Sequence, residues 1–137
     1  MKVFVDTNIF IDILQDREPF VKASSLIYKL CENNLIDGYI APITINNIHY
    51  ICRKTSHDRL IKKFLFDIAI YFDIANMNEE TIKKANYLKI NDYEDSLQYA
   101  MAIQSGCEYF VTRKIKDFKH VEHIEVLTPL DFVEKFE

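Results

Sequence analysis

The stretch KVFVDTNIFIDIL, Lys2 to Leu14, runs three apolar residues into the polar trio Asp6-Thr7-Asn8 and then resumes its apolar character. A short, nearly continuous apolar run such as Lys2–Asp6 is the pattern of a strand buried on both faces. The spacing after it predicts a short helix from Thr7 to about Leu14. Polar residues at such a junction fit one of two jobs. Asp, Thr and Asn are all helix-capping residue types. They also suit the carboxyl end of a strand in an open α/β sheet, where ligands collect. The stretch alone leaves both open.

Outward from this unit the pattern alternates. Helical spacing of Ala23, Leu26, Ile27, Leu30 and Cys31 predicts a helix from about Phe20, with Pro19 in its first turn. Tyr39–Ala41 reads as a second strand ended by Pro42. Thr44 and Asp58 are expected to cap two further helices. AIYFDIA, Ala69 to Ala75, reads as a third strand. Helices are expected from about Glu79 to Lys89 and from Tyr93 to Ser105, the second stopped by Gly106. Glu108–Thr112 and Ile124–Leu127 complete the strands, and Pro129 opens a terminal helix through Val133. Strands separated by helices imply a mostly parallel sheet with right-handed crossovers and helices on both faces. The expected fold class is thus α/β, a three-layer sandwich around four to five strands.

Size and composition limit the alternatives. A chain of 137 residues suits one domain, residues 1–137, with a real core. The chain is 49% hydrophobic and 28% charged, with 2 Gly and 3 Pro, which excludes disordered, collagen-like and low-complexity classes. Cys31, Cys52 and Cys107 are odd in number and widely spaced, which argues against a disulfide framework or zinc site and for a reducing compartment. Met1 leads directly into a strand pattern, and no apolar run reaches membrane-span length, so a cytoplasmic protein with no membrane association is expected. A formal net charge of −4 argues against coating nucleic acid by charge alone. It leaves room for an acidic site whose sign a metal ion reverses.

Other acids fall in places equivalent to Asp6. Asp92, Glu94 and Asp95 lie around the start of the Tyr93–Ser105 helix, and Asp117 follows the Glu108–Thr112 strand. If the sheet forms as read, Asp6, Glu94 or Asp95, and Asp117 converge. Carboxylates crowded together raise one another's pKa unless a cation separates them. An oxygen-only donor set favours Mg²⁺ or Mn²⁺, ions that bind phosphate oxygens and activate water. Each acid also has a purely structural reading: Asp92 with Asp95 as a helix start, Asp117 as a turn residue. Basic residues flank the set: Arg53, Lys54, Arg59, Lys62 and Lys63 on the middle helices, and Arg113, Lys114, Lys116 and Lys119 around Asp117. The second group is better placed to guide a phosphodiester backbone. His49, His57, His120 and His123 show no zinc-hydrolase spacing, and there is no Gly-rich phosphate loop.

Four stretches in this order, VFVDTNIFID, PITINNIHYICRK, DYEDSLQYAMA and YFVTRKIKDF, resemble the PIN domain family of small metal-dependent ribonucleases and VapC-type toxins. The similarity extends through LTPLDF and covers nearly the whole chain. The resemblance implies an endoribonuclease that cleaves single-stranded RNA, leaves a 5′-phosphate and a 3′-hydroxyl, depends on Mg²⁺ or Mn²⁺, forms a homodimer and is restrained by a cognate antitoxin. Asp6, Asp95 and Asp117 match the family's metal ligands, with Glu94 as a further ligand or base. Asn8, Asn47 and Thr112 fall at supporting polar positions, and Arg113 and Lys114 at the substrate rim. Two positions depart from the pattern. Asn47 stands where many members carry glutamate, and Lys114 where relatives often have asparagine. The first departure keeps a second reading in view, a PIN-like RNA- or protein-binding module without activity. A phosphatase with Asp6 as nucleophile lacks the second aspartate, since Asn8 stands two residues on.

Overall fold

The computed structural model describes residues 1–136. Five strands, all paired in parallel, form one sheet: β1 (Lys2–Val5), β2 (Asp37–Ile40), β3 (Phe72–Ile74), β4 (Tyr109–Val111) and β5 (Glu125–Leu127). Their order across the sheet is β3-β2-β1-β4-β5. The helices are α1 (Thr7–Leu14), α2 (Val21–Glu32), α3 (Pro42–Cys52), α4 (Asp58–Tyr71), α5 (Glu79–Tyr87), α6 (Tyr93–Gln104) and α7 (Pro129–Lys135).

The alternation of β1 divides the core in two. Val3 and Val5 enter one apolar cluster with Phe10, Ile27, Ile48, Ile61, Ile68 and Phe132, under α1 to α4 and α7. Phe4 enters the other with Tyr99, Met101, Ala102, Phe110 and Phe118, under α6. Side chains of a strand point alternately to opposite faces, so a three-residue apolar run requires cover on both. This is the expected three-layer α/β/α arrangement, fully parallel. Among the described residues no helix is long and apolar enough to cross a membrane.

Most element positions agree with the spacing. The largest difference lies at Ala69–Ala75, read as a strand. Helix α4 runs on through Tyr71, leaving only Phe72–Ile74 to the sheet. The helical period of its buried face, Ile61 to Ile68, carries through the apolar run, whose length alone suited a strand. Pro42 begins α3 rather than merely ending β2, and Thr44 lies inside its first turn. The cap of α4 falls on His57, with Asp58 as its first helical residue. Gly106 follows α6 at φ +75°, a conformation that suits a residue without a side chain. Gly38 in β2 is required for space, because a Cβ there would lie 2.6 Å from Cys31 Sγ and from the Phe72 ring.

Candidate active site

The strand order reverses direction of growth at β1 and β4, so the crevice beyond their carboxyl ends is the topological switch point of the sheet. Asp6 follows β1 and Thr112 follows β4, and they meet there. The Asp6 backbone N–H donates to Val111 O at 3.0 Å, which extends the sheet pairing by one residue. Asp6 occupies the N-cap position of α1, yet its side chain makes no capping bond. Its Oδ2 instead accepts from the Thr112 hydroxyl at 2.7 Å, and the same hydroxyl oxygen accepts from the Lys114 backbone N–H at 3.0 Å. Asp6 is 1% exposed and Thr112 is fully buried. The geometry therefore separates the two readings of the N-terminal trio: the Asp6 carboxylate serves the crevice, not the helix. Thr7 faces away from it in function, its hydroxyl hydrogen-bonded to that of buried Thr44 at 2.8 Å.

A division of labour at the start of α6 delivers the second acid. Asp92 is the N-cap, and its side chain accepts from the Asp95 N–H at 3.0 Å. Asp95 is thereby released from capping and turned inward, 1% exposed. The Lys114 ammonium donates to Asp95 Oδ1 at 2.7 Å and stands 4.0 Å from Asp6 Oδ2. The remaining oxygen of Asp95, Oδ2, is buried without a hydrogen-bond partner. Half-buried Glu94 extends the acidic wall, and its Oε1 accepts from the Asn47 amide at 2.8 Å. Asn47 thus supports an acid on a neighbouring helix.

The charges act on one another. Burial pushes the Asp95 carboxyl up to about 6, against the opposing pull of Lys114 and with Asp6 and Asp92 adding to the rise. Glu94 is raised for the same reasons, burial first and then the charges of Asp92 and Asp6. Burial works to lower the pKa of Lys114, but the negative charges of Asp6, Asp95 and Asp92 outweigh it and the group is raised. The ammonium form is the one this crevice selects.

Other expected site residues lie apart. Asp117 is exposed on a short 3₁₀ turn, Ile115–Phe118. Among the described residues no three His, Cys, Asp or Glu side chains form a metal-holding group. Lys114 stands beside Asp6 and Asp95, while Asp117 lies exposed on the 3₁₀ turn. Arg113, expected at the substrate rim, points to the other side of the strand end. Its guanidinium pairs with fully buried Asp12 at 2.6 Å (Nε to Oδ2) and 3.0 Å (Nη2 to Oδ1) and stacks on Phe20. Asn8 is half-buried and makes no side-chain hydrogen bond among the described residues. The Asp12–Arg113 pair is the component sequence reasoning missed. A lone acid inside the apolar run IFIDIL was its signal, since a buried carboxylate needs a distant cation. All three cysteines are free and buried, and burial pushes the thiols of Cys31 and Cys107 up to about 12, which leaves them inert.

The donor chemistry at the crevice suits a hard divalent cation. Asp6, Asp95 and Glu94 present carboxylate oxygens without a thiol or imidazole, and Asp95 Oδ2 is an orphaned buried acceptor.

Comparison with known proteins agrees with the fold. The PIN domain family pattern matches residues 2–116. The chain is 27% identical over 140 residues to Ribonuclease VapC1 of Aquifex aeolicus (strain VF5), covering 98% of this chain and 95% of that protein. Among solved structures, VapBC2 from Rickettsia felis bound to a promoter DNA fragment superposes with a TM-score of 0.69 at 18% identity, over 93% of this chain and 98% of that one. A toxin-antitoxin complex from Klebsiella pneumoniae gives a TM-score of 0.69 at 21% identity, over 93% and 97%. A sheet whose switch point gathers Asp6, Asp95 and Thr112, together with these matches, shows that the chain belongs to the PIN domain family.

Proposed function

We propose that the protein is a Mg²⁺- or Mn²⁺-dependent endoribonuclease acting on single-stranded RNA, the toxin of a toxin–antitoxin pair. The observation that carries this reading is the convergence of two almost wholly buried carboxylates, Asp6 and Asp95, at the switch point, one of them with an unpartnered oxygen. Similarity to a protein named Ribonuclease VapC1 supports the ribonuclease class, and likeness to a toxin-antitoxin complex supports a protein antitoxin; a cytoplasmic setting belongs to the same reading. Homodimerisation belongs to the same reading.

Asp6 and Asp95 would hold the cation, with Asp117 on the neighbouring 3₁₀ turn as a further ligand. When bound, such an ion lowers the pKa of water and neutralises charge on a phosphodiester. Thr112 fixes the Asp6 carboxylate by its 2.7 Å bond, so this oxygen is oriented before substrate arrives. Asn47 holds one oxygen of Glu94, whose other oxygen takes the proton of the attacking water. The water oxygen bonds to phosphorus, the bond to the 3′ oxygen breaks, and that oxygen takes a proton from solvent water, leaving a 5′-phosphate and a 3′-hydroxyl. Lys114 and the cations of Lys116 and Lys119 offer phosphate contacts along the same rim.

Purified protein should cleave single-stranded RNA with Mn²⁺, and both EDTA and Asp6→Asn should abolish cleavage. Cleavage that persists in Asp6→Asn protein refutes the assignment. The neutral amide of Asn47, which contacts Glu94 but brings no negative charge, favours a second reading, a PIN-like module that binds RNA or protein without cutting. Retained RNA binding with no Mn²⁺ binding would select it.

A further inference from the structure

Lys114 occupies an unusual place. Its ammonium enters a crevice walled by Asp6, Asp95 and Glu94 and lies between the first two, 4.0 Å and 2.7 Å from their oxygens. Its backbone is fixed as well, because its N–H donates to the hydroxyl of Thr112, which itself donates to Asp6. The side chain is about one third exposed, while both carboxylates it faces are buried. A buried pair of carboxylates carries a severe electrostatic cost unless a cation compensates it. Asp95 keeps one oxygen unpartnered even so, and the acids still outnumber the cation.

We infer that Lys114 is a resident counter-cation, which fills one cation position of the site and leaves it the charge for a single divalent ion. The inference rests on the reading of this crevice as a metal site and specifies how that site is loaded. Three carboxylates and one ammonium leave two negative charges, the complement of one divalent ion. An incoming ion competes with the ammonium for Asp95 and Asp6, so the resident lysine weakens its affinity. Arg113, the neighbouring cation, cannot substitute, being committed to Asp12.

The test is calorimetric titration of Mn²⁺ into the full chain and into Lys114→Met, Lys114→Asn and Lys114→Arg. One favourable charge within a few ångströms shifts ionic equilibria by roughly tenfold to a thousandfold. Loss of the ammonium should therefore tighten Mn²⁺ binding about tenfold or more in the Met and Asn variants, while Lys114→Arg stays within about threefold of the unaltered protein on the same charge argument. The unaltered protein should bind one ion. In EDTA the Met and Asn variants should melt below the unaltered protein, and Mn²⁺ should raise their midpoints by more than it raises that of the unaltered protein. Equal or weaker Mn²⁺ binding in both neutral variants overturns the inference, as does binding of two ions by the unaltered protein. Such failure leaves the nuclease reading intact if Asp6→Asn still abolishes both Mn²⁺ binding and RNA cleavage. Mn²⁺ binding unaffected by Asp6→Asn would instead overturn both.

Discussion

Thr112→Val separates the hydroxyl at the switch point from everything else about that position. Valine keeps the β-branch and nearly the volume of threonine but carries no hydrogen-bonding group. Two interactions disappear: the 2.7 Å donation to Asp6 Oδ2 and the 3.0 Å acceptance from the Lys114 N–H. Hydrogen bonds to charged groups contribute about 1.5–3 kcal/mol and neutral ones about 1, so the pair amounts to about 3 kcal/mol. Unfolding entropy near 2.1 cal/mol/K per residue gives about 0.3 kcal/mol/K for a chain of 137 residues. The expected fall in Tm is then about 10 °C. Thermal unfolding followed by circular dichroism in EDTA measures it, with Thr112→Ser, which retains the hydroxyl, expected to lose less than about a third as much. Because Asp6 would also lose its orientation, kcat for RNA cleavage should fall with Thr112→Val while KM changes little. A Tm within about 3 °C of the unaltered protein, or equal losses in the Val and Ser variants, would refute the claim that this hydroxyl organises the site.

Asp12→Ala strands the Arg113 guanidinium and should cost about 3–5 kcal/mol by urea denaturation, with Asp12→Leu/Arg113→Met together recovering most of it. Gly38→Ala places a methyl 2.6 Å from Cys31 Sγ and the Phe72 ring and should destabilise by about 1–3 kcal/mol; a neutral result would mean that β2 and α2 yield easily. The pKa of Asp95 stands at about 6 against an ordinary 3.8, so its contribution to stability is present below about pH 4 and lost as pH rises through about 6. Glu94 is shifted in the same direction. Urea melts in EDTA should therefore show these groups lowering stability between about pH 4 and about pH 7, by at most about 3 kcal/mol for Asp95, and Asp95→Asn should flatten that slope.

The parts of the site legible in the sequence are those tied to element ends. Asp6 had to leave the core where the apolar run of β1 stopped, and Asp95 had to lie in the first turn of α6. Which of Asp92 and Asp95 caps was open to spacing and is decided by the 3.0 Å bond from Asp95 N–H to Asp92. Side chains that act across the fold left weaker traces. The Lys114 ammonium reaches its acids through four flexible methylenes, a geometry no spacing encodes. Asp117 follows the strand end in the sequence, but the 3₁₀ turn that exposes it depends on local backbone detail. The fold class was written in the alternation of strands and helices, whereas the boundary between α4 and β3 was not, because AIYFDIA is apolar enough for either.

The position of a bound divalent ion is the most direct measure of this site. Anomalous scattering from crystals grown with Mn²⁺ should give one peak in contact with the carboxylates of Asp6 and Asp95, with the Lys114 ammonium still beside Asp95. Saturating Mn²⁺ that gives no peak against Asp6, or two peaks in the site, would contradict a single-ion site built on these carboxylates.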